Sequence, residues 1–245
     1  MAKDFIAGFS AYFKAFGIIS HYRLWGYVLI PALLSLLLAV VVFRFAWGIS
    51  DDLGGWLISF YPFEWGRGWL VKIANVFSGL LIIALSVLFF KNMILAIASP
   101  FMSFLSENIE KKMLGQRAGT FTFPKMLSDF LRGIRIALRN IIRELFFTLL
   151  ILLIGLIPPL GLIAPVALFA VQAYYAGFGN LDFTLERHFQ VRESVRFVRH
   201  HKGLALGNGT AFLLLFFTGV GFLIALPLGT VAGTTEVLKR LPTKG

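Results

Sequence analysis

Charge disappears from two long stretches of this chain. No Asp, Glu, Lys or Arg occurs from Leu145 to Leu181 or from Gly203 to Thr235. One helix crossing a bilayer needs about 20 apolar residues, and two need about 40 plus a turn. Both runs fall between those lengths, and each is broken near its middle. The breaks are Ile157-Pro158-Pro159-Leu160-Gly161 and Thr218-Gly219-Val220-Gly221. The pattern predicts two re-entrant helical hairpins, 145–181 and 203–235, that enter a bilayer, turn and leave on the same side. Such hairpins are costly unless other protein covers their turns.

Two further apolar stretches have spanning length. Leu24 to Phe43 is twenty residues with Pro31 as a kink, and Ile73 to Phe90 lies between Lys72 and Lys91. Apolar character then runs on to Phe104 past a predicted bend at Ser99-Pro100. Ahead of the first span, Phe5, Phe9, Phe13 and Phe16 recur at helical spacing with Lys3 and Lys14 off the stripe. This predicts an amphipathic helix over 3–19 lying in the bilayer interface. The expected fold is an all-α integral membrane protein, one membrane domain over 1–245, with a first span (24–43) acting as an uncleaved signal-anchor.

Between the spans, Arg44 to Lys72 holds Trp47, Trp56, Tyr61, Trp65 and Trp69, and reads as a loop hugging the interface. Its charges cancel: Arg44, Arg67 and Lys72 against Asp51, Asp52 and Glu64. The chain as a whole carries +11, so the excess lies elsewhere. The positive-inside rule then puts this loop outside and both termini in the cytoplasm, with both hairpins opening inward.

Composition agrees with the class: 58% hydrophobic and 14% charged residues. There is no cysteine, which excludes disulfides, thiolate catalysis and cysteine metal sites. The four histidines form no metal-ligand spacing with carboxylates. No nucleotide, nucleophile-elbow or zinc-protease motif is present, so neither an enzyme, a cofactor nor a metal site is expected. Asn208-Gly209-Thr210 matches a glycosylation sequon but falls at a cytoplasmic hairpin end. Glu107 and Glu110 share a helix face beyond Pro100 and are expected to pair with Lys111, Arg117 or a base on another helix.

Arg132, Arg135, Arg139 and Arg143 fall within roughly 80° of a helical wheel, opposite Phe130, Ile134, Leu138 and Ile141. Arg192, Arg196 and Arg199 form a similar stripe. Two readings stand: contacts to anionic lipid headgroups, or an anion-attracting vestibule at the mouth of a pathway. Nucleic acid is not an expected partner. Helices that start within the membrane, at Pro158-Pro159-Leu160-Gly161 and Gly219-Val220-Gly221, would present unpaired N–H groups suited to anions.

Ala96-Ile97-Ala98-Ser99-Pro100-Phe101, with Leu105-Ser106-Glu107-Asn108-Ile109-Glu110-Lys111-Lys112-Met113-Leu114-Gly115, resembles a stretch of the CysZ-type sulfate permease family of bacterial inner membranes. So do Ile157 to Gly161 with Ala164-Pro165, and Leu226-Pro227-Leu228-Gly229-Thr230-Val231-Ala232. The etoposide-induced membrane proteins share the domain. The resemblance implies a multi-pass inner-membrane permease or channel passing sulfate or sulfite into the cytoplasm, and a homo-oligomer, hexameric, whose subunits cover one another's hairpins. It also implies anion contacts where the family carries a Gly-(Leu/Ile)-Arg motif, here Arg23, Leu24 and Gly26; the glycine and second arginine of that pattern are absent. Ser99, Pro100, Glu107, Glu110 and the hairpin turns become pathway or gate candidates. The competing function, from a different class, is a non-transporting membrane scaffold that holds anionic lipid or a partner protein through its arginine stripes.

Overall fold

Helices here run through charged residues, and two of them also run through a proline, Pro31 and Pro227. The computed structural model describes residues 1–59, 88–115, 123–155 and 157–241, and every regular element among them is a helix. α1 (Ala2–His21) turns sharply into α2 (Trp25–Ser59). α3 (Leu88–Ile97) leads into α4 (Ser99–Met113). α5 (Phe123–Gly155) and the single turn α6 (Pro158–Gly161) are followed by α7 (Ala164–Leu185). The short α8 (Val191–His200) precedes α9 (Lys202–Phe216) and α10 (Phe222–Leu238). Pro100 and Pro165 stand in the first turns of α4 and α7, where a missing N–H costs nothing.

Two expected boundaries are corrected. Residues 44–59 were expected to begin a loop, yet α2 continues through Ser59. Likewise the arginine segment and the first arm of the 145–181 hairpin are one helix, α5. Charged residues end an apolar run but do not end a helix; no proline intervenes between Pro31 and Pro62, or between Pro124 and Pro158. The bulk of the expected 73–90 span, with Tyr61, Trp65 and Trp69, lies outside the described residues.

The hairpin breaks are where the sequence puts them. α5 and α7 are separated by residues 156–163, and α9 and α10 by 217–221. Gly219 takes φ +81° in the second turn, a conformation open to glycine. A side chain on Gly221 would meet the Leu215 carbonyl, so that corner closes only on a glycine. α3 and α4 meet at 63°, at the Ser99-Pro100 bend, and α1 and α2 at 120°.

α9 is the centre of the bundle, laid between α1 and α7, with α10 closing over all three. It gets there by having almost no side chain at its crossings. A Cβ on Gly209 would lie 1.6 Å from the Ala173 carbonyl oxygen, and one on Gly177 would lie 1.8 Å from that of Ala205. On its other face a Cβ on Gly207 would reach the Phe5 carbonyl at 2.1 Å, and one on Gly8 that of Leu204 at 2.4 Å. Small residues one turn apart let helix backbones touch. α1 packs into the bundle through Gly8, Ala11, Tyr12, Ala15 and Ile19. Of its phenylalanines, Phe13 and Phe16 point outward, while Phe5 and Phe9 are half-buried.

Much of the surface is apolar, as the core is. Leu29, Leu33, Leu37 and Val40 of α2 are exposed, as are Ile142, Phe146, Leu150 and Leu153 of α5. The hairpin tips are barer still, with Leu162 84% and Val220 72% exposed. Exposed apolar residues in such number mark a membrane or protein contact. Among the described residues no single helix is long and apolar enough to cross a membrane. The bent pairs α1 with Trp25–Val41 of α2, and α3 with α4, reach that length together.

Candidate functional site

Polar side chains also form stripes through the interior at helical spacing. α4 contributes Ser103, Ser106 and Glu110, α7 contributes Asn180 and Thr184, with half-buried Arg187 just beyond its end, and α10 contributes Thr230 and Thr234. At mid-seam the hydroxyls of Ser106, Thr184 and Thr234 form a triangle with edges of 2.8, 2.9 and 2.9 Å. On one side Asn180 donates to Asn208 Oδ1 at 2.8 Å, and Asn208 donates to the Gly229 carbonyl at 3.0 Å. Tyr12 donates to the Ala225 carbonyl at 3.1 Å, tying α1 to α10.

On the other side Arg187 closes the seam. Its Nε donates to Glu110 Oε2 at 2.9 Å, and Nη1 donates to the Phe183 and Ser103 carbonyls at 2.7 and 3.3 Å. Nη2 serves Ser106 Oγ at 2.7 Å and Glu110 Oε2 at 2.8 Å. A guanidinium has five N–H donors, and four of them make hydrogen bonds inside the protein. His188 Nε2 lies 2.9 Å from Glu110 Oε1, and Glu107 pairs with Lys111 at 2.6 Å one helical turn on. Both candidate carboxylates are therefore buried in ion pairs.

The α5 arginines do not share one environment. Arg132 reaches inward to Asp182 at 3.1 Å, Ser194 at 3.0 Å and the Phe189 carbonyl at 3.2 Å, pinning α8 beneath α5 and α7. Arg139 lies over the Phe178 ring at 5.0 Å and donates to Asn140. Arg135 is exposed and Arg143 half-buried. Those of α8 (Arg192, Arg196 and Arg199) all face outward.

Arg23 occupies the α1–α2 corner. It is exposed, and at φ +53° it is the one described non-glycine residue in the left-handed region. Leu24 is buried beneath it, while Gly26, in the first turn of α2, faces open space. The corner holds a second cation that the sequence did not point to. Lys112 of α4 donates to the Tyr22 carbonyl at 2.7 Å, with its ammonium 5.5 Å from the Tyr22 ring centre. Lys112, half-buried, thus anchors on the residue before Arg23, at the corner where α2 begins. Ser99 and Pro100 sit buried at the α3–α4 bend, Ser99 donating to the Ala96 carbonyl. Pro158, Pro159, Gly161, Gly219 and Gly221 form the hairpin turns, on elements other than those that carry Arg23 and Lys112.

A charged clasp joins α1, α9 and α10 at the chain ends. Arg240 bonds Asp4 at 3.0 Å and Glu236 at 2.6 Å, and His201 lies 3.7 Å from Asp4. Burial pushes both carboxyls up, but Arg240, joined by Lys239 at Glu236, outweighs it and holds both below their ordinary values. Burial also depresses His201, against the pull of Asp4. Depressed carboxylates stabilise above their unfolded values and release that stability as pH falls through the folded ones. The clasp is expected to hold at neutral pH and open below about pH 4. Hydrogen exchange of the first α1 amides should accelerate there, and Arg240→Gln should remove that acid dependence.

A family model described as sulfate transporter CysZ/etoposide-induced protein 2.4 matches residues 11–227. No curated protein matches the chain.

Proposed function

The chain belongs to the sulfate transporter CysZ/etoposide-induced protein 2.4 family, and from that membership we propose that it is a membrane permease or channel passing a small inorganic oxyanion, sulfate or sulfite, into the cytoplasm. In this reading the exposed leucines of α2 and α5 face lipid. The bare hairpin tips are covered by lipid or by neighbouring copies in a homo-oligomer, and both termini lie on the cytoplasmic side of a bacterial inner membrane. Buried polar seams beneath an apolar surface suit that setting, because polar groups in lipid need partners within the protein. The role is that of a carrier or channel, not of an enzyme.

The observation that carries the reading is the α1–α2 corner. A tetrahedral oxyanion needs charge-assisted donors, and Arg23 and Lys112 supply them beside the N-terminus of α2. Lys112 stands in for the second arginine missing from the sequence pattern. Its ammonium is less suited than a guanidinium to bidentate contact. Gly26 leaves the approach open. Holding Arg23 at positive φ costs on the order of 1 kcal/mol, which its neighbours must over-determine.

Radiolabelled sulfate or sulfite uptake into proteoliposomes tests this. Arg23→Ala removes charge-assisted bonds worth about 1.5–3 kcal/mol, so uptake is expected to fall by about tenfold or more while unfolding is unchanged. No flux above empty vesicles for any small anion would falsify the transport reading. The scaffold alternative keeps one supporting observation, the outward arginines of α8. On α5 it loses ground, since Arg132 is committed to Asp182.

A further inference from the structure

The arginine stripes of α5 and α8 meet at one place. Arg139 of α5 lies within electrostatic reach of Arg143, one turn along the same helix, and of Arg199 near the end of α8. All three also reach Tyr174 of α7. Packing fixes the grouping. The Arg139 guanidinium lies over the Phe178 ring at 5.0 Å and donates to Asn140 Oδ1 at 2.9 Å. Tyr174 stands one turn before Phe178 on α7, and both pack in the apolar cluster that takes in Ile136 of α5 and Val198 of α8. Arg139 follows Ile136 by one turn, and Arg199 follows Val198 directly.

Three cations gathered in this way repel one another. The described carboxylates pair with other cations, Arg132, Arg187 and Arg240 among them, and none pairs with Arg139, Arg143 or Arg199. Glu144, beside Arg143 in the chain, is fully buried and bonded to Lys91. An anion among the three would relieve the repulsion, and guanidinium forks match the paired oxygens of a phosphate. The outer wall says which phosphate. Past Glu144, α5 carries no charge to its end at Gly155, and Phe146, Phe147, Leu150 and Leu153 are exposed there. Arg143 thus marks the depth where the helix surface turns from charged to apolar. A lipid headgroup sits at such a boundary, with its chains on the apolar side. An inorganic anion would make no use of that wall.

We propose that Arg139, Arg143 and Arg199, with the Tyr174 hydroxyl, form a site for the phosphate of an anionic phospholipid, whose acyl chains lie along Phe146, Phe147 and Leu150. The site rests on the membrane placement above and not on transport. It differs from a diffuse attraction of arginines to the bilayer surface, because it draws on one arginine of α8 and leaves Arg192 out. A zwitterionic lipid binds less well, since its own cation would add to three already present. The bound phosphate ties α8 to α5 and α7 at the end of α8 opposite the Arg132–Ser194 bond.

Native mass spectrometry of the full chain, released from detergent micelles doped with phosphatidylglycerol or with phosphatidylcholine of the same chains, reads the site without any flux measurement. The wild type is expected to retain phosphatidylglycerol over phosphatidylcholine. Arg143→Gln and Arg199→Gln should each weaken that retention by about tenfold. Arg143→Lys, which keeps the charge and guards against a folding artefact, should lose less. Arg192→Gln removes the same charge about two turns earlier on α8 and should change retention by less than about twofold. Equal losses in Arg192→Gln and Arg199→Gln would reduce the cluster to diffuse attraction and overturn the site. Displacement of the lipid from the wild type by millimolar sulfate or inorganic phosphate would assign the site to a free oxyanion and overturn the lipid. Flotation of the wild type with liposomes is scored first. Failure there sinks the membrane placement and this site with it, whereas flotation without a lipid preference sinks the site alone.

Discussion

Gly209→Val is expected to leave no folded protein to purify. The wild-type α7–α9 crossing brings backbone against backbone, and a Cβ at position 209 would stand 1.6 Å from the Ala173 carbonyl oxygen. The obstacle is main chain, which has no rotamer to move to. Gly177 meets Ala205 in the reciprocal way, so the two helices cannot slide to relieve one clash without tightening the other. α9 is also gripped from behind by α1 through Gly207 and Gly8. Separating α7 from α9 enough for a valine would forfeit the Asn180–Asn208 bond and the packing beneath it. A loss above about 4 kcal/mol follows from these combined mechanisms, most of the stability of an ordinary domain. Size-exclusion of detergent extracts reads the outcome: no monodisperse peak for Gly209→Val. Gly17→Ala, where the added carbon meets nothing, should be neutral or stabilise by about 0.5–1 kcal/mol. A wild-type peak for Gly209→Val would show that the crossing is looser than drawn.

Local punctuation was legible in the sequence, and pairing between distant helices was not. The turns at Ile157 to Gly161 and Thr218 to Gly221, and the bend at Ser99-Pro100, follow from prolines and glycines that act on their own stretch of backbone. Helix lengths were misjudged at Arg44 and at Glu144 because a charge was read as a boundary. In the structure Glu144 is interior to α5, its charge met by Lys91 from a helix more than fifty positions earlier. Nothing in either segment names the other. Within the neutral runs, Asn180, Asn208, Thr230 and Thr234 count only as uncharged. The i, i+4 spacing of Asn180 with Thr184 and of Thr230 with Thr234, with Arg187 three residues further on, is the available sign of a buried polar face. The small-residue pairs Ala173/Gly177 and Ala205/Gly209 were likewise visible as a spacing, but only packing shows which helix each faces. At the candidate site, Arg23 could be read from sequence, whereas Lys112 comes to it from another helix.

Arg187→Met and Arg23→Ala are expected to separate stability from conduction, because the two arginines stand in opposite states. Arg187 makes four hydrogen bonds inside the seam, to Glu110, Ser106 and two carbonyls, and is held by them away from a passing anion. Methionine in its place fills much of the volume but leaves Glu110 with His188 alone and Ser106 with only its threonine partners. Breaking a buried pair from one side costs about 3–5 kcal/mol, mostly through the stranded charge. The Tm of Arg187→Met should fall steeply, and Arg187→Met combined with Glu110→Gln should recover part of the loss, since the stranded charge is then gone. Arg23→Ala touches no internal bond, and removing a residue at φ +53° does not weaken the core beneath it. Its melting curve should match wild type while uptake drops. The reverse pattern, a stable Arg187→Met with flux abolished, would mean that the seam opens during transport and lends its guanidinium to the anion. The Ser106–Thr184–Thr234 triangle would then lie on the pathway, and the α1–α2 corner would be only its entrance.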